Sequence, residues 1–347
     1  MNSLILLDKL YKTQSLSLDE YKFLVENFSA ENADYASTLA VKKRKEFYGN
    51  SVFIRGLIEI SNICKNDCYY CGIRCSNRKA DRYRLTKEDI LSCCEVGFSL
   101  GFRTFVMQGG EDPYFSDEVM CDIVSSIKEK YPDCAVTLSL GERSKESYQK
   151  LFNAGADRYL LRHETADSCH YAKLHPENLN LENRMDCLKN LRKIGFQVGC
   201  GFMVGSPYQS GEHLAKDLKF IEEFKPDMCG IGPFIPHKDT PFKDFSAGSA
   251  ELTCYLLSIV RLIHPSVLLP ATTALGTLKE NGREKGILAG ANVVMPNLSP
   301  ESTRAKYELY NNKLSTGAES ANGLEALRKN LKAIGYEIVE SRGDVKK

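Results

Sequence analysis

The sequence predicts an α/β fold, a (β/α)8 TIM barrel with an N-terminal helical extension and a short C-terminal helical tail. From residue 52 onward, a short apolar or β-branched run alternates with an amphipathic stretch eight times over roughly 250 residues. Polar residues follow these runs repeatedly, as expected at the barrel rim where active sites lie. A doubly wound open sheet shows the same alternation and is the main alternative.

The predicted strands are short runs rich in β-branched and apolar residues. They are Val52–Ser61, Thr104–Gln108, Ala135–Leu140, Asp157–Arg162, Gln197–Met203, Met228–Phe234, Val267–Ala271 and Asn292–Met295. Strand-like runs of this length, separated by amphipathic stretches, are typical of repeated strand-helix units.

The predicted helices lie between the strands and have apolar residues at helical spacing. They are Thr86–Leu100, Asp117–Lys130, Lys145–Ala154, Leu181–Ile194, Gly211–Phe224, Ala250–Ile263 and Arg283–Leu288. Local caps support these assignments. Thr86 precedes Asp89 by three residues, as in a capping box, and Ser144 precedes Ser147 in the same way. Three glycines, at positions 155, 195 and 290, end helices before the next strand.

The chain divides into three predicted parts. Residues 1–50 have no strand signal and form a helical cap, and residues 51–310 form the barrel. Residues 311–347 contain a polar loop, one helix over Gly323–Ile334 and a charged tail. Because no linker rich in proline or serine separates them, one domain is favoured.

Composition excludes several classes of protein. The 347 residues are 43% hydrophobic and carry a net charge of +1, which gives no electrostatic reason to expect nucleic acid or an anionic membrane. No apolar run approaches the ~20 residues of a membrane span. The thirteen cysteines and the absence of a signal-peptide pattern predict a reducing, cytoplasmic location.

Three cysteines, Cys64, Cys68 and Cys71, carry the strongest chemical signal. A [4Fe–4S] cluster is normally held by four thiolates. Three closely spaced thiolates leave one iron open to chelate an amine and a carboxylate, as S-adenosylmethionine (SAM) does. The run resembles the radical SAM signature, including the aromatic Tyr70 before the last cysteine. The alternative is a zinc site with Cys75 as fourth ligand, but no second C-x2-C pair follows.

Other residues at predicted strand ends fit ligand binding. Glycines 109 and 110 with Glu111 resemble the radical SAM element whose backbone contacts the SAM amino group, although Gly-Gly pairs usually mark turns. Glu164 could bind the hydroxyls of a ribose, or it could simply form a salt bridge at the barrel rim. Arg184 could bind a carboxylate, or it could lie on a solvated helix face. Thr272 and Thr273 could bind a small anion or simply make turn hydrogen bonds.

Together these motifs resemble the HydE family, the radical SAM maturases of [FeFe]-hydrogenase. The matching stretches are Tyr83–Thr86, Gln108–Tyr114, Thr137–Glu142, Tyr159–Ala166, Gly230–His237, Pro270–Ala274 and Met295–Asn297. The resemblance runs from the N-terminal helices to about Tyr310. It implies one [4Fe–4S] cluster on the three cysteines and cleavage of SAM to a 5′-deoxyadenosyl radical.

The resemblance also implies roles for site residues. Glu164 and Arg184 would contact the SAM ribose and carboxylate. Arg162, Thr272 and Thr273 would bind an anion deep in the barrel. The lower wall would be formed by a tyrosine pair expected to lie three apart on a helix, Tyr307 and Tyr310. Gln108 and Ser139, at the ends of strands two and three, join the catalytic set.

The implied substrate is small and amino-acid-like or organometallic, a cysteine-bound Fe(CO)2(CN) unit. The implied partners are the maturases HydG and HydF and a low-potential electron donor such as ferredoxin or flavodoxin. Some family members carry three further C-terminal cysteines for a second cluster. No cysteine follows Cys254 here, and residues 314–322 contain none, so one cluster is expected.

Two other functions remain open. The related methylornithine synthase PylB has a similar cysteine loop and barrel, but the stretches Arg162–Glu164 and Pro270–Ala274 favour HydE. A non-catalytic iron–sulfur scaffold is the second, and reductive cleavage of SAM would exclude it.

Overall fold

The computed structural model describes residues 1–315 and 320–346. Three helices begin the chain, α1 (Ser3–Thr13), α2 (Leu18–Glu26) and α3 (Ala30–Tyr48). Each begins at a side-chain cap, and Ser17 forms a full capping box with Glu20. The helical cap predicted before residue 50 is therefore confirmed as secondary structure.

The strands of the barrel are parallel and short. They are β1 (Ser51–Ile54), β2 (Gly56–Ser61), β3 (Thr104–Gly109), β4 (Ala135–Ser139), β5 (Arg158–Leu160), β6 (Gln197–Cys200), β7 (Met203–Val204), β8 (Met228–Cys229), β9 (Gly232–Pro233), β10 (Val293–Val294) and β11 (Glu337–Val339). Strands β2-β3-β4-β5-β6-β8 form one sheet, β10-β1-β11 a second and β7-β9 a third. Their apolar side chains pack with the surrounding helices into one large core.

Isolated bridges join the first two sheets. Leu268 pairs with Met228 of β8, Pro270 pairs with Val293 of β10, and Asn297 pairs with Leu57 of β2. The predicted strand Val267–Ala271 is thus reduced to two bridges, because Pro270 has no N–H to continue a ladder. The arrangement is the TIM-barrel-like α/β fold that the sequence predicts.

The helices around the barrel follow the predicted periodicity. They are α4 (Lys87–Ser99), α5 (Asp117–Lys130), α6 (Lys145–Asn153), α7 (Ser168–Leu174), α8 (Leu181–Ile194), α9 (Gly211–Phe224), α10 (Ala250–Ile263), α11 (Thr273–Leu278), α12 (Gly282–Leu288), α13 (Glu301–Arg304) and α14 (Leu324–Ala333). All eight predicted helices lie within one residue of these bounds at each end. Helices α7, α11 and α13 were not predicted, since each is too short to show a periodic pattern.

Several predictions about local structure are wrong. The runs Gln197–Met203 and Met228–Phe234 are each divided into two strands, since β6 and β8 belong to the six-stranded sheet whereas β7 and β9 pair with each other. The run Val52–Ser61 is two strands, since β1 pairs with β10 and β11 whereas β2 pairs with β3. Tyr307 and Tyr310 do not lie on a helix, because α13 ends at Arg304. The charged tail contains β11, which extends the sheet beside β1 and depends on a partner almost 290 residues earlier in the chain.

Two segments cross the ends of the barrel. The mouth segment, residues 306–314, spans the carboxyl ends of the strands. Its backbone carbonyls accept hydrogen bonds from Asn62 Nδ2, in the loop after β2, at 2.7 Å and from the N–H of Gly72 at 2.9 Å. One of its N–H groups donates to the carbonyl of Pro236 at 3.1 Å. The floor segment, residues 337–346, lies under the amino ends, where the carbonyl of Arg342 accepts a bond from Thr104 Oγ1 at 2.8 Å.

No helix within residues 1–315 and 320–346 has both the length and the apolar character that crossing a membrane requires.

Candidate functional site

A cavity of about 350 Å³ opens at the carboxyl ends of the strands, under the mouth segment. Every site residue predicted from the sequence lines it. They are Cys64, Cys68, Tyr70, Cys71, Gln108, Gly109, Gly110, Glu111, Ser139, Arg162, Glu164, Arg184, Thr272, Thr273, Tyr307 and Tyr310. Residues from seven separate stretches of sequence therefore meet in one space, as the barrel topology requires.

The cysteine loop is held by charged side chains that sequence reasoning missed. Asp67 accepts hydrogen bonds from Arg74, at 2.7 Å to Nε, and from the backbone and hydroxyl of Ser76. Arg82 donates to the carbonyls of Asn62, Ile73, Arg74 and Asn77. These bonds fix a loop that has no regular secondary structure. Charged residues inside a cysteine motif were the available signal.

The three thiols suit a cationic cluster. Cys64 Sγ accepts the N–H groups of Asn66 and Glu111, each at 3.4 Å. Burial, and then the neighbouring charges of Cys71 and Cys64, raises the pKa of Cys68, and burial raises the pKa of Cys71 to about 12. Buried thiols of this kind deprotonate when iron binds, because the metal charge offsets the desolvation and the mutual repulsion.

Cys75 stands apart from this group. It is exposed, it does not line the cavity, and its N–H donates to the carbonyl of Asn66 at 2.9 Å. The structure thus offers no argument for a fourth thiolate ligand from Cys75.

The glycine-acid element packs directly against the cysteine loop. A side chain at Gly110 would collide with the backbone of Ile63 and with Cys64 Cβ, so only glycine fits. The Glu111 carboxylate accepts the N–H of Glu142 at 2.9 Å and pairs with Lys65 Nζ at 3.2 Å. The backbone of this element therefore borders both the thiols and the open cavity.

Glu164 is held in an unusual backbone conformation. Its φ is +66°, in the left-handed region, and its N–H donates to the carbonyl of Gly201 at 3.0 Å. Its Oε2 lies 3.1 Å from Arg162 Nη2. The two atoms are close enough to attract but not aligned for a hydrogen bond, and both are buried without a hydrogen-bond partner.

Arg184 is close to a carboxylate that the sequence analysis did not assign. Its Nε lies 2.6 Å from Glu142 Oε1, again without hydrogen-bond alignment. Asn183 Nδ2 donates to the other Glu142 oxygen at 2.5 Å. Arg184 lies on the first turn of α8 and is only 8% exposed, so the predicted alternative of a solvated helix face is wrong.

Buried polar atoms without an aligned hydrogen bond concentrate around this cavity. They include Arg162 Nε and Nη2, Glu164 Oε2, Arg184 Nε, Glu142 Oε1 and Thr272 Oγ1. Four of them form the Arg162–Glu164 and Arg184–Glu142 ion pairs, so the rim salt bridge that was the alternative for Glu164 is present. Arg162 Nε and Thr272 Oγ1 have no such contact, and each costs about 1–3 kcal/mol when nothing satisfies it. Carboxylate acceptors and guanidinium donors of this kind fit the ribose hydroxyls and carboxylate of SAM. The residues present therefore fit both the cluster and SAM.

The inner wall carries further polar groups. Gln108 Nε2 donates to the Tyr307 hydroxyl at 3.4 Å. Glu59 and Lys313, which sequence reasoning missed, also line the cavity and form an ion pair of 2.6 Å. The signal for Glu59 was an acidic residue in the middle of an otherwise apolar strand. Lys313 had no such signal, since it lies in an irregular polar loop.

Histidines support the site from behind. The Tyr70 hydroxyl lies 3.3 Å from Nε2 of His175, and burial lowers the pKa of His175 to about 3. His163 packs below Glu164, and its Nε2 lies 3.2 Å from Asp217 Oδ1. Asp217 Oδ1 also accepts the N–H of Ala166 at 2.6 Å. Asp217 on α9 thereby anchors the loop that carries Glu164.

Comparisons with known proteins identify the family of this chain. The family model of the radical SAM superfamily matches residues 58–221. The [FeFe] hydrogenase maturase subunit HydE of Thermotoga maritima is 43% identical over 297 residues, covering 86% of this chain and 84% of that protein. The 3-methylornithine synthase of Methanosarcina acetivorans is 28% identical, covering 95% and 92%.

Solved structures show the same fold. Methylornithine synthase (PylB) superposes with a TM-score of 0.83 at 26% identity, covering 96% of this chain and 97% of that one. The hydrogenase maturase HydG superposes with a TM-score of 0.81 at 20% identity, covering 97% and 76%. Because the identity to the HydE relative extends over most of both chains, this chain belongs to the HydE family of radical SAM enzymes.

Proposed function

We propose that this chain acts in the assembly of the [FeFe]-hydrogenase H-cluster on a cysteine-bound Fe(CO)2(CN) precursor. The observation that carries the proposal is the shared cavity, in which the three loop thiols, the Glu164 and Arg184 charges and an inner polar wall face one space. The HydE relative supplies the direction of the function.

The loop cysteines would hold three irons of a [4Fe–4S] cluster and leave the fourth for SAM. When bound, these groups supply a 5′-deoxyadenosyl radical through reductive cleavage of SAM. The oxygens of Glu164 accept hydrogen bonds from the ribose hydroxyls, and Arg184 donates hydrogen bonds to the SAM carboxylate. Arg184 is buried, Glu164 is mostly covered, and both are held by ion pairs before SAM arrives, so little ordering entropy is lost on binding.

The inner wall would hold the substrate below SAM. Arg162 contributes a cation, and Thr272 and Thr273 contribute hydroxyl donors from the start of α11, which follows the seventh predicted strand. Thr272 lies at the N-cap of α11 yet makes no side-chain capping bond. An anion held here is shielded from water, so each contact is stronger than at the surface.

Partner proteins follow from the same proposal. The precursor would arrive from HydG, and HydF would act later in assembly. A ferredoxin or flavodoxin would supply the electron.

The cluster assignment is tested by iron content. Anaerobic reconstitution should give about four irons per chain, as one [4Fe–4S] cluster requires. Cys68→Ala should lose the cluster, whereas the matched variant Cys75→Ala should keep it. About six irons in the parent, or retention in Cys68→Ala with loss in Cys75→Ala, would contradict the assignment.

The substrate assignment is tested by maturation. Thr272→Val combined with Thr273→Val should leave SAM affinity unchanged and abolish production of active hydrogenase. Normal maturation by this double variant would refute the role of the two hydroxyls.

A second function is supported by the structural match to methylornithine synthase. If this chain forms 3-methylornithine and fails to mature hydrogenase, that function replaces the proposal. Failure to cleave SAM under reducing conditions would instead point to an iron–sulfur scaffold.

A further inference from the structure

Glu59 and Lys313 form a buried ion pair on the cavity wall, contributed by β2 and the mouth segment. Lys313 Nζ lies 2.6 Å from Glu59 Oε1, and Asn297 Nδ2 donates to Glu59 Oε2 at 2.8 Å. The Glu59 side chain is fully buried and that of Lys313 is 8% exposed. Both residues line the cavity.

Stability alone does not account for this pair. Removing two charges from water costs several kcal/mol per ion, and apolar residues of similar size often replace such a pair without loss of stability. A buried pair that borders an open cavity is better explained by a ligand that needs both charges.

Both partners retain hydrogen-bonding capacity. An ammonium has three donors, and one of those of Lys313 is used by Glu59. Lys313 Nζ also lies 5.1 Å from the ring centroid of Tyr307, which favours the cation without using a donor. Each Glu59 oxygen accepts one hydrogen bond and can accept a second. Because the Glu59 side chain is fully buried, a ligand reaches it only by displacing Lys313 Nζ from Glu59 Oε1.

The pair lies one level below the predicted SAM contacts. Glu59 is in register with Gln108 on β3, and Gln108 is in register with Ser139 on β4. These three residues form a polar row across neighbouring strands and all line the cavity. Gly110 and Glu111 follow β3 beyond this row, beside the thiols.

We propose that Glu59 and Lys313 form a subsite for a zwitterion, an α-amino acid group whose ammonium is accepted by Glu59 and whose carboxylate is bound by Lys313. The inference rests on the proposed function, which places SAM above this level and the substrate within it.

Charge selects a zwitterion over a simple ion. A ligand that is only an anion is attracted by Lys313 but repelled by Glu59, which lies 2.6 Å from the Lys313 ammonium. A ligand that is only a cation is attracted by Glu59 but repelled by Lys313. A zwitterion makes a favourable contact with each, and in a cavity of low dielectric constant the difference is large.

The test uses cluster-loaded enzyme saturated with SAM, with S-methyl-L-cysteine as the probe. This amino acid has both charges and no thiol that could remove iron, and saturating SAM blocks the SAM subsite. Titration calorimetry should show binding at least about tenfold tighter than that of its deaminated and decarboxylated analogues, since each analogue loses one charged hydrogen bond. No binding, or equal binding of all three, would overturn the proposal.

A double variant separates recognition from folding. Glu59→Gln with Lys313→Met removes both charges together, so no unpaired ion stays buried and the urea midpoint should stay near that of the parent. The variant should lose the preference for the zwitterion. The control is Lys306→Met, on the same segment, where the lysine pairs with surface Asp81. Retained preference in the double variant, or its loss in the control, would refute the pair as the subsite.

Failure of this inference differs from failure of the proposed function. SAM affinity and SAM cleavage report the upper site, and maturation assays report the reaction. A chain that binds the zwitterion but matures no hydrogenase keeps the subsite and loses the function. If the chain matures hydrogenase but shows no selectivity for the zwitterion, the proposed function stands and the subsite is refuted.

Discussion

The mouth and floor segments both follow the main run of strands and helices, yet they close the two ends of the barrel with different chemistry. The mouth segment bonds to several loops through single hydrogen bonds and places Tyr307, Tyr310 and Lys313 against the cavity. The floor segment forms β11 beside β1 and pairs Asp344 with Arg158 at 2.5 Å. One end therefore places polar groups on the wall of a cavity, whereas the other uses them to hold the chain together.

The largest expected effect comes from removing the floor segment. A chain that ends after Tyr336 loses β11 and leaves Arg158, which is fully buried, without its carboxylate. Losing the Asp344 carboxylate, the Arg342 carbonyl that also accepts a bond from Arg158 Nη2, and the β11 pairing together should cost about 3–5 kcal/mol. Urea denaturation should show a loss of at least that size, whereas Lys306→Met in the mouth segment should change the midpoint little. An unchanged midpoint in the truncated chain would show that the floor segment is dispensable.

The helices were more predictable from sequence than the two closing segments, for a physical reason. Helices α5, α8, α9 and α10 have the predicted bounds, because apolar periodicity and caps are local. Strand β11 has three partly exposed residues and depends on pairing with β1. The division of the chain at residues 50 and 310 stays a prediction.

The site shows the same contrast between local and distant information. Three cysteines within eight residues predict an iron–sulfur cluster even when the fold is unknown. Lys313 meets Glu59 across 254 positions, and Asp217 meets His163 across 54. Such pairs have no local signature, so sequence reasoning identified residues that line the cavity but missed those that hold them.

The next largest effect concerns the cavity under the mouth segment, and it is an effect on SAM affinity rather than on stability. Glu164→Gln should weaken SAM binding by roughly 1.5–3 kcal/mol, because one charged hydrogen bond is lost. Arg184→Ala should act in the same direction. Equilibrium binding to cluster-loaded enzyme measures both, with iron content as the control. Unchanged affinity in both variants would place SAM elsewhere.

Asp344→Asn should have a smaller effect on stability, and one that depends on pH. Burial alone raises the pKa of Asp344, but hydrogen bonds from Arg158 and Gln197 outweigh it and hold that pKa below the ordinary 3.8. A depressed folded pKa stabilises the protein above pH 3.8, and this contribution is lost as the pH falls below it. Because the Asp344 side chain is 41% exposed, solvent screening limits the loss at pH 7 to about 1–2 kcal/mol. Urea midpoints should converge with those of the parent in acid; a constant difference would exclude the charge as its cause.

The same substitution at Asp217 should do almost nothing at acid pH and should not destabilise at neutral pH. Asp217 is fully buried, its contacts are the N–H of Ala166 and the ring of His163, and burial raises its pKa well above 3.8. Burial, and then the charges of Arg162 and Arg184, lowers the pKa of His163 to about 3, so the imidazole is neutral.

With a raised folded pKa, the stability contribution of Asp217 is complete below pH 3.8 and falls as the pH rises. Asparagine keeps the acceptor oxygen and does not ionise, so Asp217→Asn should gain stability relative to the parent as the pH rises above 3.8. The stability differences of the two variants should therefore have opposite slopes against pH. SAM affinity should be retained in Asp217→Asn, which keeps the acceptor oxygen, and reduced in Asp217→Leu, which does not. If Asp217→Asn and Asp344→Asn lose stability in parallel as the pH rises, the loop that carries Glu164 and the floor segment depend on charge in the same way, and the contrast between the two ends of the barrel fails.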